Sequence, residues 1–351
     1  MNKLKLFIIA VFLVSISGCS ALETKQSDSS MPTAVQANPI NTTDASTSLP
    51  SSKLQITFIE YKNDHTEFFA VDIGCVDNDD LCLGEPTLLF KTMPASSNSP
   101  NKPMGLIDGY SWSPEGDKIV LSANNDLFIG DMITQEWENI TNSPNIEEYD
   151  PKWSQDKRYI YYLACTQDNA GMGSCKPARL DLIENTNTFL LDSIEDSIVD
   201  FAVSPDNQSV VFSVSNGFDR LYRSDLDGSN IHELTVTEFE ETSPSFSYDG
   251  KLVVFEQNNR PNMVADSKLE SDIIMQNSRW DDEKNLTDEF EGEASSPVFS
   301  YDGKWVAFDV FDSDNHFNIY VASIERGTVI QVTEGNDNEV SPSWRLFYEQ
   351  K

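Results

Sequence analysis

The sequence predicts an all-β fold built from six copies of one four-stranded antiparallel unit, and three observations predict it. The first is a repeat. A short strand ending in a bulky apolar residue, usually followed by Ser and a turn, recurs at Trp112, Trp153, Val203, Phe246, Phe299 and Trp344, at intervals of 41, 50, 43, 53 and 45 residues. The copies Ser243-Pro244-Ser245-Phe246-Ser247-Tyr248-Asp249-Gly250-Lys251 and Ser296-Pro297-Val298-Phe299-Ser300-Tyr301-Asp302-Gly303-Lys304 are nearly interchangeable. The second is a crossing of constant length. Ile140-Thr141, Leu234-Thr235, Leu286-Thr287 and Val332-Thr333 close outer strands, and 13, 12, 13 and 12 residues separate each threonine from the residue after the next bulky one. Radial packing requires this, because the chain must run from the rim of one unit to the axis of the next. The third is that both ends are incomplete copies. Residues 55–61, 67–73 and 87–90 read as second, third and fourth strands with no first strand before them, and residues 341–345 read as a first strand with no successors. A period of roughly 40 to 50 residues carrying several strands marks a β-propeller. Six blades follow, the last closed by one C-terminal and three N-terminal strands, and closure removes edges that would template aggregation. Such a ring predicts a monomer.

The elements follow in chain order. Lys3 and Lys5 precede an apolar run over residues 6–16, too short to span a bilayer and followed by small residues, which describes a secretory leader. Ile16-Ser17-Gly18-Cys19 resembles a bacterial lipobox. That resemblance implies cleavage after residue 18 and acylation of Cys19, so that lipid chains hold the mature protein on a membrane. Lipoproteins with Asp after the cysteine tend to stay at the inner membrane; Ser20 here favours the outer membrane in a two-membrane cell. Residues 19–52 are rich in Ser, Thr, Asn, Gln and Pro and read as a disordered tether. Residues 53–351 are ample for a sizeable core. Within the unit that begins at Glu241, Pro244 to Phe246 is the first strand and Tyr248-Asp249-Gly250 the turn, with Gly where a positive φ is needed. Residues 251–257 and 272–276 are the second and third strands, and Asn285-Leu286-Thr287 ends the fourth. A seventh blade would need a cryptic repeat in residues 91–106, which are too few.

Cysteine and charge limit the setting. Beyond Cys19 the chain has Cys75 with Cys82 and Cys165 with Cys175, each pair enclosing a short polar loop, which in an exported chain suggests two local disulfides. Neither spacing offers the Cys-x-x-Cys knuckle of a zinc site. Acidic residues outnumber basic ones 58 to 24, for a formal net charge of −34. Such a surface repels nucleic acid, which is excluded as a partner. The charge is spread over the loops, where it serves solubility.

The Ser-Pro-x-Phe-Ser-Tyr-Asp-Gly-Lys stretches, Asp225-Leu226-Asp227-Gly228 and the Leu-Thr endings together resemble the TolB-like propeller repeats, a WD-repeat-like group. The resemblance covers about 300 residues. TolB proper carries an α/β domain before its propeller and works in envelope assembly with a peptidoglycan-associated lipoprotein. Only the tether stands in that place here, so the resemblance implies a TolB-like lipoprotein rather than TolB, and TolB's partners do not carry over.

Chemistry is sparse. There is no Gly-x-Ser-x-Gly elbow, which excludes an α/β-hydrolase serine peptidase. Of three histidines, His65 and His316 fall on one face and His232 on the other, short of a three-ligand catalytic metal set. An acid precedes each inner strand: Asp108, Glu148, Asp200, Glu241, Glu293 and Glu339. Around one mouth of a central channel they would focus negative potential on a cation or a basic peptide; alternatively each binds nearby groups of its own crossing loop. Calcium has two oxygen-rich candidates, Asp309, Asp312, Asp314 and Asn315, and Asp77-Asn78-Asp79-Asp80, neither with EF-hand spacing. No other cofactor is indicated. The leading expectation is a non-catalytic, lipid-anchored propeller that binds a protein or glycan of the cell envelope. The alternative is a lyase or hydrolase acting on an envelope or extracellular polysaccharide through the channel-mouth carboxylates.

Overall fold

Second strands such as Ile119-Val120-Leu121 and Val306-Ala307-Phe308 are apolar at consecutive positions, so they can be stable only with both faces covered. The computed structural model covers them in that way. It describes residues 52–348, apart from 75–80, 98–101, 167–172, 216, 218, 236, 238, 259–270, 289, 291, 313–314 and 335–337. The leader, Cys19, the tether and Cys75 lie outside the described residues.

The strands form six antiparallel sets. The first joins both ends of the chain: Glu339–Tyr348 pairs with Ser52–Tyr61, which pairs with Thr66–Gly74, which pairs with Thr87–Lys91 and with the short Cys82–Leu83. The second runs Ile107–Trp112, Lys118–Ala123, Asp126–Asp131, Trp137–Asn139, and the third Ile146–Trp153, Tyr159–Thr166, Ser174–Asp181, Thr186–Phe189. The fourth runs Ser197–Val203, Ser209–Ser215, Arg220–Asp225, His232–Glu233. The fifth (Glu240–Phe246, Leu252–Asn258, Ser271–Asn277, Glu283–Asn285) and sixth (Glu293–Phe299, Trp305–Phe311, Phe317–Ser323, Val329–Gln331) share one eight-stranded sheet through a single parallel bridge, Ser271 to Glu293. The expected pairing of a C-terminal first strand with N-terminal strands is observed.

Alternation sends the two faces of each second strand to different neighbours. Ile119 and Leu121 pack with Ile59 and Phe68 of the first set, whereas Val120 packs with Ile160 and Tyr162 of the third. Phe212 joins Tyr161 of the third set, and Val211 joins Phe255 of the fifth. Val254 packs with Phe308 of the sixth set, and Trp305 with Phe58 and Trp344 of the first. Each of these apolar clusters lies between two sets. A fully buried Phe or Ile in such a seam contributes about 1.5–3 kcal/mol.

Two hydroxyl devices explain the repeat. The Ser after the bulky residue donates to an Asp in the turn and accepts the first N–H of the second strand. Ser113, Ser154, Ser204, Ser247 and Ser300 do so with Asp117, Asp156, Asp206, Asp249 and Asp302. In the first set Arg345 takes the place of that Ser and the strand continues without a turn. The threonine that closes the outer strand accepts a buried backbone N–H of the third: Leu127 to Thr141, Ile273 to Thr287 and Ile319 to Thr333, at 2.9–3.0 Å. Thr92 does the same for Thr66 at 2.9 Å. Thr333→Val keeps the shape and orphans the Ile319 N–H, so it is expected to cost about 1–2 kcal/mol and to lower the melting temperature by a few degrees. An unchanged melting temperature would mean that the cap contributes nothing.

Cys165 and Cys175 face each other in register on adjacent strands of the third set and form a disulfide. Closing so short a loop stabilises by about 2–3 kcal/mol in the chain-entropy model. Cys82 is exposed on its short strand.

Candidate functional site

Every inner strand is bulged near its start. The register slips by one residue beside Gly109, Asp150, Val199, Ser243, Ser296 and Ser341. Five of these six residues have a positive φ, between 47° and 130°. Proline follows at 151, 244, 297 and 342, tolerated because an inner edge leaves its nitrogen outside the ladder. A bulge turns backbone N–H groups out of the ladder, and these need acceptors. Two carboxylates of preceding second strands supply them. Asp309 Oδ2 accepts the Ser341 N–H at 2.9 Å, and Glu256 accepts that of Ser296.

Both acids stand three residues after the Val that faces the bulky inner residue; the corresponding positions in the other sets are Ile59, Ser122, Leu163 and Ser213. Burial pushes Asp309 up to about 6, against hydrogen bonds from Ser295, Ser341 and Ser296 that lower it. Glu256 is pushed up to about 8, first by desolvation and then by Asp309, Asp200 and Glu293. Asp200 is itself raised by burial, with Lys152 opposing. Lys152 Nζ lies 2.8 Å from Asp150, 3.4 Å from Asp200 and 2.7 Å from the Phe201 carbonyl, and 5.2 Å from the Phe201 ring centre. Its charge is thus already engaged. Tyr61 keeps an exposed ring, but crowding at its hydroxyl, then Asp108 and Asp309, raises the phenol.

The six acids expected from sequence separate into two groups. Glu148, Glu241 and Glu339 stand five residues before the bulky residue and are buried. Glu241 is held by Thr235, by Thr237 at 2.8 Å and by Gln257 at 3.3 Å. Glu148 is pushed up to about 7 by burial, partly offset by Thr141 and Ser143. These two brace the crossing that leads into their strand. Asp108, Asp200 and Glu293 stand four, three and six residues before theirs. Asp200 and Glu293 act on Glu256. Asp108 is open to solvent, yet partial desolvation and Glu147 still raise it.

The calcium candidates divide too. Asp312 caps the His316 N–H at 3.0 Å and accepts from Asn318 at 3.2 Å, while Asp77 to Asp80 and Asp314 lie outside the described residues. No group of three or more His, Cys, Asp or Glu side chains among the described residues could hold a metal. His65 lies beside Asp64 and Glu67, and exposed His232 beside the Asn230 carbonyl.

No family model and no curated protein matches the sequence. Solved structures do match. TolB from Acinetobacter baumannii aligns with a TM-score of 0.61 at 17% identity, over 83% of this chain and 66% of that one. This chain shares its fold with TolB. A TolB candidate from Agrobacterium tumefaciens aligns with a TM-score of 0.57 at 16% identity, over 85% and 99% of the two chains. Oligogalacturonate lyase in complex with manganese gives 0.53 at 16% identity, over 77% and 71%. The chain therefore spans slightly under two thirds of the A. baumannii protein, and the likeness is one of fold.

Glu256 and Lys152 were not singled out by the sequence pattern, and Asp309 only as one of the oxygen-rich calcium candidates. The available sign was a carboxylate inside an otherwise apolar second strand, Val253-Val254-Phe255-Glu256 and Val306-Ala307-Phe308-Asp309.

Proposed function

We propose that the six sets are the blades of a closed six-bladed propeller, tethered through acylated Cys19 to the envelope membrane, the outer one where two exist, and serving as a non-catalytic binding module. The closed ring is supported by apolar clusters in the seams between consecutive sets, the seams on both sides of the terminal set included. The ligand side is the bulged end of the inner strands, where Asp200, Glu293 and Asp309 act on Glu256 and Asp108 stands with Asp309 near Tyr61. One observation carries this reading: Asp309, Asp200 and Glu293 all act on buried Glu256 and raise it, while Lys152 is already bound by Asp150 and Asp200. A basic segment of an envelope protein would relieve that repulsion.

In-cell crosslinking with identification of partners tests it, with a Cys19→Ala chain as the released control. A discrete partner that depends on the tether and is lost in Glu256→Gln/Asp309→Asn supports the reading. Recovery of nonspecific neighbours only, with turnover of an envelope polysaccharide by the Cys19→Ala chain, would replace it with the lyase or hydrolase alternative.

A further inference from the structure

In the second, third and fourth sets both hairpin turns lie at one end, because the start of the second strand faces the end of the third: Lys118 pairs with Asp131, Tyr159 with Asp181 and Ser209 with Asp225. Neighbouring sets hold these ends side by side. Arg345 donates to the Gly116 carbonyl at 2.8 Å, Lys157 pairs with Glu115, and Asn207 donates to Asp156 at 3.0 Å, Arg223 to the Ser278 carbonyl at 3.0 Å and Lys284 to the Ile324 carbonyl at 2.6 Å. The bulges and the acids around them are at the opposite end. At the turn end, apolar side chains stand where other copies of the repeat carry charge. Asp131 accepts the Ile133 N–H and Asp181 the Ile183 N–H, both at 2.9 Å, so the same turn projects the same side chain from two adjacent sets. The matching residue is Asp227 in the fourth set, Arg279 in the fifth and Glu325 in the sixth. Ile133 is 61% and Ile183 72% exposed, more than any other large apolar side chain among the described residues, and Ile231 on the fourth set's turn is 44% exposed. Single exposed apolar residues are ordinary; one repeated on the outermost turns of consecutive sets marks a contact surface. Ser52 opens the second strand of the first set at this same end, where Gln55 pairs with the Arg345 that bonds to Gly116. Residues 19–51 therefore join the body here.

We propose that the turn end of the second to fourth sets is a lipid-docking surface: Ile133, Ile183 and Ile231 seat in the membrane that carries acylated Cys19, and the acidic end is directed away from it. This rests on the tethering proposed above. A bilayer fits side chains that stand on separate turns, since lipid yields around each one, whereas a folded partner must also be complementary to the ground between them. Attachment at Ser52 brings these side chains to the membrane, and anionic headgroups repel the carboxylates at the other end. Lys157, Arg158, Lys251 and Lys304 are interspersed with the acids of the turn end.

The test reconstitutes the full-length chain in vesicles of phosphatidylethanolamine and phosphatidylglycerol, with and without brominated acyl chains. Flotation with the vesicles, lost in Cys19→Ala, reads the anchor. Docking is read by the quenching that Ile183→Trp adds to that of the parent chain, against Val199→Trp, which places the same indole at a bulge of the acidic end. An indole seated at the boundary of headgroups and acyl chains should be quenched about twofold or more above one held away from it. Ile133→Asp, added to Ile183→Trp, should lower that quenching while flotation persists, and the melting temperature of each variant separates docking from folding. Flotation with equal quenching at 183 and 199, or at neither, would overturn the docking and leave the anchor standing. Failure of the parent chain to float would overturn both. Protection of residue 183 by dimerisation of the Cys19→Ala chain in solution would assign the surface to a second copy instead.

Discussion

A chain that ends after Asn338 is expected to lose its cooperative unfolding transition and to aggregate. The strand Glu339–Tyr348 pairs with Ser52–Tyr61, buries Trp344 and partly buries Val340. Removing it bares the hydrogen-bonding edge of an N-terminal strand and strips cover from Ile56, Phe58 and Ile59. Losing the Trp344 side chain alone should cost about 3–5 kcal/mol, a large share of the roughly 5–15 kcal/mol that holds a typical domain. A point change tests the same contact more finely. A Cβ at Gly116, whose φ is +69°, would fall 1.8 Å from the Leu346 carbonyl oxygen of the terminal strand. The Gly116 carbonyl also accepts from Arg345 Nε at 2.8 Å, and the buried guanidinium stacks over Trp112 at 4.3 Å. Gly303 occupies the matching turn of the sixth set, with φ +67° and nothing within 4 Å of its would-be Cβ. Gly303→Ala should therefore cost only the left-handed penalty, about 1–2 kcal/mol. Gly116→Ala should exceed it by about 2 kcal/mol or more, seen as a lower midpoint in denaturant. Equal losses at the two glycines would mean that the terminal strand is not seated against this turn.

The repeat was legible because its conserved spacing reports hydrogen bonds that each set must make. Ser after the bulky residue pins a turn, and Thr at the end of the outer strand caps a buried N–H; neither role depends on distant parts of the chain. The pairing of the two termini was legible for a related reason, since residues 55–61 and 341–345 each lack the partner that the other supplies. Cys165 and Cys175 were legible because a hairpin brings residues equidistant from its turn face to face. The site was harder to read. A one-residue bulge moves every preceding side chain relative to the bulky residue, and acids chosen only for standing just ahead of the repeat fall at offsets of three to six. Glu241 and Glu148 consequently turn back to the crossing threonines and serines, while the acids that brace the next bulge, Glu256 and Asp309, come from another strand. That contact joins one set to the next, and no spacing within a single repeat encodes it.

Glu256→Gln is expected to stabilise the protein at pH 8.5, to leave it nearly unchanged at pH 5, and so to flatten its pH profile. Folding raises the Glu256 carboxyl from an ordinary 4.5 to about 8. The folded state therefore keeps a proton that the unfolded chain releases, and the stabilisation is fully present below the ordinary value and lost as pH rises through about 8. Glu148 and Asp309 act in the same direction, through about 7 and about 6. Melting temperature should consequently fall between pH 5 and pH 8.5. Because Glu256 is only partly shielded from solvent, the difference attributable to it is set at about 2 kcal/mol rather than the full shift, or a few degrees of melting temperature. Glutamine keeps an oxygen to accept the Ser296 N–H, so the bulge remains braced. Parallel pH profiles for the two proteins would show that Glu256 ionises freely. The same linkage constrains the ligand: a basic segment binding here favours the ionised carboxylates and must release protons on binding. Its affinity should rise from pH 5 to pH 8.5, and most of that rise should vanish in Glu256→Gln/Asp309→Asn. A ligand whose affinity is independent of pH in this window would be bound somewhere other than the bulged end of the inner strands.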